Sequence, residues 1–199
     1  MLSLSLPREE FAAYVARQMN HFFPDGRDAD PGDTLYRKAL DLALDRTFHC
    51  FRPVSLPAYN RDGATHLSHL HSDQYSAFLW FLSNSFLRVY DDNLFAQKAF
   101  YLNKALNGIV CMYDAQMPDI FLVLHGTGAM LGKAAYQDFF IFCQGVTVGA
   151  SHGVYPVLGR GVSLLPGATV VGTCNVGDGV TFGANTLTNS IDIPPCSVR

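Results

Sequence analysis

From Leu158 onward an inward-suited apolar side chain recurs every sixth residue: Leu158, Leu164, Val170, Val176 and Phe182. Four residues after each stands a small or β-branched one: Val162, Ala168, Cys174, Val180 and Thr186. Glycines fill much of the remainder, among them Gly159, Gly161, Gly172, Gly177 and Gly179. Upstream, Phe142 with Val146, then Val148, keep the same phase, and Leu131 with Ala135 form one more unit. A helix repeats every 3.6 residues and a strand every two, so neither accounts for a period of six. A parallel β-helix does. Each hexad then forms one short side of a triangular coil, and its large residue stacks on the equivalent residue one coil along. The small residue sits near a corner, and glycines supply the unusual dihedrals there. Backbone hydrogen bonds pass from each coil to the next.

The first half of the chain has a different period. "PREEFAAYVARQMNHFF" places acidic residues early, after Pro7, followed by apolar groups at three- and four-residue spacing. "DTLYRKALDLALDRTFHCF" opens on Asp33 as a cap and repeats Leu35, Leu40, Leu42 and Leu44. "HSDQYSAFLWFLSNSFLRVY" and "DNLFAQKAFYLNKALNG" follow, the last ending in a glycine suited to a helix C-terminus. Turn-rich stretches separate them. The expected architecture is α+β: an N-terminal helical domain over residues 1–110, then a parallel β-helix of hexapeptide repeats over 111–199.

Composition narrows the function. Of 199 residues 49% are hydrophobic and 16% charged, which suits a well-buried fold or an oligomer that hides surface. The net charge is -3 with no block of Lys or Arg, which argues against nucleic acid as a partner. The five cysteines, Cys50, Cys111, Cys143, Cys174 and Cys196, are odd in number and scattered, and read as small buried hydrophobes in a reducing compartment. No signal-peptide pattern opens the chain and no apolar run is long enough to span a bilayer, so a soluble, cytoplasmic protein is expected.

"FLVLHGTGAMLG", from Phe121 to Gly132, holds a single ionisable group, His125. An imidazole among aliphatics is either a core histidine with satisfied nitrogens or a functional base. Two stretches weigh on this choice: "LHGTGAMLGKAAYQDFFIFCQGVTVG" (Leu124 to Gly149) and "YPVLGRGVSLLPGATVVGTCNVGDGVTFGAN" (Tyr155 to Asn185). They resemble the hexapeptide-repeat acyltransferases with a left-handed β-helix, and within these the bacterial serine O-acetyltransferases. The shared elements are His-x-Thr-Gly, a Gly seven residues after the His, and Asn/Gln-x-Val-Thr-x-Gly. The likeness covers about residues 65–190.

The resemblance implies an acetyl-CoA-dependent O-acetyltransferase in which His125 is the general base. An imidazole titrating near the working pH is suited to remove a hydroxyl proton as the alcohol attacks a thioester. Asp114 in "MYDAQMPD" is matched with the family's orienting aspartate, with Asp119 as the competitor. The resemblance also places CoA in a groove between subunits, lined here by Gly149, Ala150, Pro166, Gly167, Gly183 and Ala184. Arg160 is a candidate for the CoA phosphates. An oxyanion donor is expected from the backbone at Gly149–Ala150. A homotrimer, or a dimer of trimers through the helical halves, follows from an active site built between chains.

The pattern departs from the family where serine is recognised. Leu124 stands where an aspartate directly precedes the histidine. His69 falls near the position of an aspartate upstream of the "Asp-x-Tyr" matched by "DQY" at Asp73 to Tyr75. Val154-Tyr155 replaces an Arg-His pair before Pro156. Each missing charged partner removes hydrogen bonds of about 1.5–3 kcal/mol. The acceptor site instead offers His69, His71, Asp73, His152 and Tyr155, which suit serine poorly and a sugar or another hydroxylated metabolite better. The family's basic C-terminal tail over CoA has no counterpart in "IPPCSVR". Two other readings remain: a non-catalytic trimeric scaffold, and a β-helical lyase of the carbonic-anhydrase kind. The lyase needs three zinc-binding histidines on the β-helix, where only His125 and His152 stand, and no metal is expected.

Overall fold

The computed structural model describes residues 2–199 and divides into two compact units, 1–106 and 107–199. In the first unit, β1 (Ser3–Leu4) leads into α1 (Arg8–Phe22) and α2 (Thr34–Phe51). A short hairpin, β2 (Asn60–Arg61) and β3 (Ala64–Leu67), precedes α3 (Ser72–Val89) and α4 (Leu94–Asn107). The helices start and stop where the sequence signals stand. Asp33 Oδ1 accepts from the Tyr36 amide at 2.8 Å, capping α2. Gly108, at φ +67°, follows the end of α4. The core of the unit collects Phe11, Val15 and Met19 from one stripe of α1, Tyr36, Leu40 and Leu44 from one stripe of α2, and Phe78 from α3, while Leu35 faces solvent. Burial along α3 is almost continuous from Asp73 to Phe86, so that helix runs through the middle of its unit.

The second unit is the β-helix. Its strands are β4 (Val110–Cys111), β5 (Phe121–Leu124), β6 (Met130–Leu131), β7 (Ala135–Tyr136), β8 (Phe140–Cys143) and β9 (Thr147–Gly149). They continue as β10 (Val157–Leu158), β11 (Ser163–Leu164), β12 (Thr169–Val171), β13 (Asn175–Val176), β14 (Thr181–Phe182) and β15 (Leu187–Asn189). They wind into three sheets, β4-β6-β9-β12-β15, β7-β10-β13 and β5-β8-β11-β14, with every pairing parallel. We refer to these as sides I, II and III; from β6 onward the chain visits them in that order.

The hexad residues point inward: Leu158, Leu164, Val170 and Phe182 are fully buried and Val176 nearly so. Val162, Ala168, Cys174 and Val180 are buried beside them, and Thr186 is half-buried. Phe142, Val146 and Val148 extend the same core. Two expectations need correction. Ala135 is exposed; the inward residues of that turn are Ala134 and Tyr136, because Tyr136 lies in register with Leu158. The Tyr136 hydroxyl also reaches the Gly132 carbonyl at 2.8 Å, an anchor alanine could not supply. Cys196 is exposed, unlike the other four cysteines, because it occupies a corner at φ +54°.

Registers show where the period breaks. Side III advances from Leu164 to Phe182, and side I from Val170 to Thr188, with eighteen residues in each coil. The preceding coil needs four more, Phe142 to Leu164 and Val148 to Val170. Those four project as a hairpin in which Ser151 and Val154 exchange both backbone hydrogen bonds at 3.0 Å. Its two central residues, His152 and Gly153, have φ of +51° and +80°, the signature of a type I′ turn.

Candidate active site

Each corner of the coil is a column of stacked turns. Where side III passes to side I, Gly128, Gly145, Gly167 and Asn185 lie one above another, all at positive φ. Their amides bond the coil below: Gly145 to Thr127 O at 3.0 Å, Gly167 to Gln144 O and Asn185 to Pro166 O, both at 2.9 Å. His125 opens the lowest full turn of this column. It follows β5, adopts φ +55°, and its carbonyl accepts from the Thr127 amide at 2.8 Å. The bend requires Gly126, which is buried. A Cβ there would lie 2.5 Å from Val123 Cγ1 and 2.8 Å from Ile109 Cδ1.

The consequence is that His125 is exposed, so the core-histidine reading of the sequence does not hold. A histidine in the left-handed region costs about 1–2 kcal/mol relative to an ordinary dihedral, and such strain concentrates at functional positions. The same column carries Pro166, Gly167, Gly183 and Ala184, four of the residues matched to the CoA groove.

The corner from side I to side II gathers the second group. Gly149 ends β9, Ala150 follows, and the hairpin presents His152, Val154 and Tyr155, all exposed. Below it, the Tyr155 ring lies against Gly132. The next residue, Lys133, gives Nζ to Asp114 Oδ2 at 2.6 Å. Asp114 holds the Lys133 ammonium above its usual range. The carboxylate expected to orient His125 is thus bonded to a lysine on another corner. A run of about five residues across side I, at about 3.3 Å each, puts the two corners roughly 15 Å apart. Within one chain the structure groups His125 with Pro166, Gly167, Gly183 and Ala184, and groups Asp114 with Gly149, Ala150, His152 and Tyr155. Asp119 is exposed on the loop before β5.

Arg160 is on the third corner, from side II to side III. Its guanidinium lies 4.3 Å from the Phe139 ring centroid, and Nη1 is 3.8 Å from Asp138 Oδ2. Its amide donates to Asp178 Oδ1 at 2.8 Å. These contacts hold Arg160 away from the other two columns.

In the helical unit, the remaining candidates have local partners. His69 Nδ1 and Ser5 Oγ are 2.8 Å apart, and Tyr14 meets the His69 ring edge-on at 4.9 Å between centroids. His71 caps α3, its Nδ1 accepting from the Gln74 amide at 3.4 Å, and faces the Tyr59 ring. Asp73 is buried in the first turn of α3. Among the described residues no group of three His, Cys, Asp or Glu side chains is placed to hold a metal ion, and no helix is long and apolar enough to cross a membrane. Lys133 was not singled out in the sequence. Its position eight residues after His125 gave no signal, because its role depends on which corner of the coil it occupies.

This architecture, a helical unit followed by a three-sided parallel β-helix, is the fold of solved serine acetyltransferases. Over 92 residues the chain is 30% identical to a serine acetyltransferase from Synechococcus elongatus, a match that covers 44% of this chain and 38% of that protein. The chain therefore matches well under half the length of that relative. A serine acetyltransferase in complex with CoA superposes with a TM-score of 0.70 at 15% identity, covering 94% of this chain and 79% of the other. The soybean serine acetyltransferase complexed with serine gives 0.67 at 20% identity, covering 83% and 71%. No protein-family profile matches the chain.

Proposed function

We propose that this protein transfers an acetyl group from acetyl-CoA to the hydroxyl of a small-molecule acceptor, with His125 as general base. The observation that carries the reading is the placement of His125. It is an exposed imidazole, held at a strained dihedral, on the same corner as the Pro166–Gly167 and Gly183–Ala184 turns. Support also comes from the superposed serine acetyltransferase that binds CoA.

In the proposed reaction the thioester lies along that small-residue column. The acceptor hydroxyl attacks the carbonyl carbon while His125 takes its proton. General-base assistance of this kind is worth about 10²–10⁴ in rate. The tetrahedral oxyanion is met by backbone N–H groups at Gly149–Ala150, and collapse expels the CoA thiolate, which recovers the proton from the imidazolium.

The two groups lie on different corners, so the reaction calls for more than one copy of the chain. In a ring the contacts are heterologous: one corner of a subunit meets a different corner of the next. A homotrimer would bring Gly149, Ala150, His152, Tyr155 and Asp114 of one copy to His125 of its neighbour. Asp114 would then exchange Lys133 for the imidazole. The outer face of side I offers a mixed row for such a ring, Met130, Thr147, Thr169 and Leu187, with Met130 53% and Leu187 67% exposed at its ends. Arg160 would meet CoA phosphates only after leaving Phe139 and Asp138.

The test is CoA release from acetyl-CoA with L-serine, and in parallel with sugars and other hydroxylated metabolites, using His125→Ala as the blank. Release that depends on His125 with any of these acceptors supports the reading. Binding of acetyl-CoA without such release from any acceptor would favour a non-catalytic scaffold.

A further inference from the structure

The inserted hairpin marks a corner built for recognition. The coil closes without it, since the next coil manages with eighteen residues, and insertions in a solenoid tend to carry binding groups. It brings His152 and Tyr155 out to solvent, with the Tyr155 ring over Gly132. The ring of Tyr155 is seated by that glycine, where a Cβ would lie 2.7 Å from Cε1. Beside it stands Lys133, 53% exposed and bonded on one side only, to Asp114. Residues 107–199 contain three permanent cations, Lys133, Arg160 and Arg199. Arg160 is stacked on Phe139 at another corner, and Arg199 lies beside Gly183 and Thr186 at the corner from side III to side I. Lys133 alone stands at the hairpin.

We infer that Lys133 is the specificity-determining residue for the acceptor, binding a carboxylate on a small hydroxy acid or hydroxy amino acid, with Tyr155 and His152 completing the site. This rests on the acetyl-transfer reading above. An ammonium has three donors. Asp114 occupies one in the single chain and releases it when it turns to the neighbour's imidazole, which leaves the exposed ammonium beside Tyr155 open to an acceptor carboxylate. The phenol and imidazole add neutral hydrogen bonds around the same anion. Lys133 thereby supplies the positive charge that Val154-Tyr155 does not. The corner suits a neutral sugar less well, because a bare ammonium would lose water without gaining a charged partner.

The experiment compares carboxylate-bearing acceptors, L-serine, L-homoserine and D-glycerate, with ethanolamine and glycerol, which lack the carboxylate. Binding is measured by calorimetry on the intact protein, and turnover by CoA release. Wild type should bind at least one of the first group tenfold or more tightly than its carboxylate-free counterpart. Lys133→Gln should erase that preference while leaving the KM for acetyl-CoA within twofold, and Lys133→Arg should restore most of it. Equal binding of the two groups by wild type, a preference that survives in Lys133→Gln, or a shift confined to acetyl-CoA would each overturn the assignment. Selective binding without turnover would leave Lys133 in place and refute the acetyl-transfer reading instead. A circular-dichroism melt of Lys133→Gln matching wild type separates loss of binding from loss of fold.

Discussion

The Tyr155 ring packs on Gly132 so closely that a Cβ at residue 132 would sit 2.7 Å from Cε1 and 2.8 Å from the Val148 carbonyl oxygen. Neither neighbour can yield cheaply: one is a ring seated at the base of the hairpin, the other a ladder acceptor for the Gly132 amide. Gly132→Ala should cost about 1–3 kcal/mol, as overpacking does. It should also displace Tyr155 and so raise the KM for acceptor more than that for acetyl-CoA. Steady-state kinetics in both substrates checks this; a silent substitution would show that the ring moves freely.

His125→Ala should lower kcat by about 10²–10⁴ while moving Tm only a few degrees, because the side chain is exposed. His125→Gly relieves the φ of +55° and should be as inactive as the alanine variant, yet more stable by about 1 kcal/mol. Thermal melts of the two variants side by side provide the measurement. Unfolding of His125→Ala would return the imidazole to a structural role.

Leu124 immediately precedes the proposed base, His125, and is half-buried on β5, in register with Cys143. If this leucine is what disfavours free serine, Leu124→Asp should lower the KM for L-serine, since a carboxylate there would meet the substrate ammonium. An unchanged KM would sink that explanation.

Lys98 is buried, with Nζ 2.7 Å from Asp25 Oδ1 and 2.6 Å from the Arg27 carbonyl, pinning the segment after α1 to α4. The Lys98 hydrogen bond, ahead of the Arg27 amide, holds the Asp25 carboxyl far below the ordinary carboxylate range. A depressed folded value means stability is fully present above the unfolded pKa of about 3.9 and is lost as pH falls below it. Acid melts between pH 2 and 7 should therefore show Asp25→Asn to be less stable than wild type near neutrality, with the gap closing below about pH 4. A gap independent of pH would assign the effect to packing.

The coil was legible because a period of six has one structural solution, and each of the five hexad residues from Leu158 to Phe182 faces the core as expected. The phase was misread only at Ala135, where the turn after β6 uses three residues in place of four and brings Tyr136 inward. His125 could be singled out because it is the one ionisable group of its stretch and opens the His-x-Thr-Gly element that carries the resemblance. Which corner each candidate occupies could not be read. That depends on the four-residue insertion and on the loop from β4 to β5, where no repeat applies. Asp114 and Lys133 are nineteen residues apart in the chain and share a corner; Asp114 and His125 are eleven apart and do not.

Ser151 and Val154 satisfy each other, so the projecting hairpin takes no hydrogen bond at those positions from the coils above and below. The β-helix therefore carries this appendage as a plug-in. Its tip can be lengthened, shortened or exchanged without re-threading the stack, and the chemistry it presents can change while the scaffold stays the same. Grafting hairpins of other lengths between Ala150 and Pro156 would vary the presented side chains on an unaltered coil.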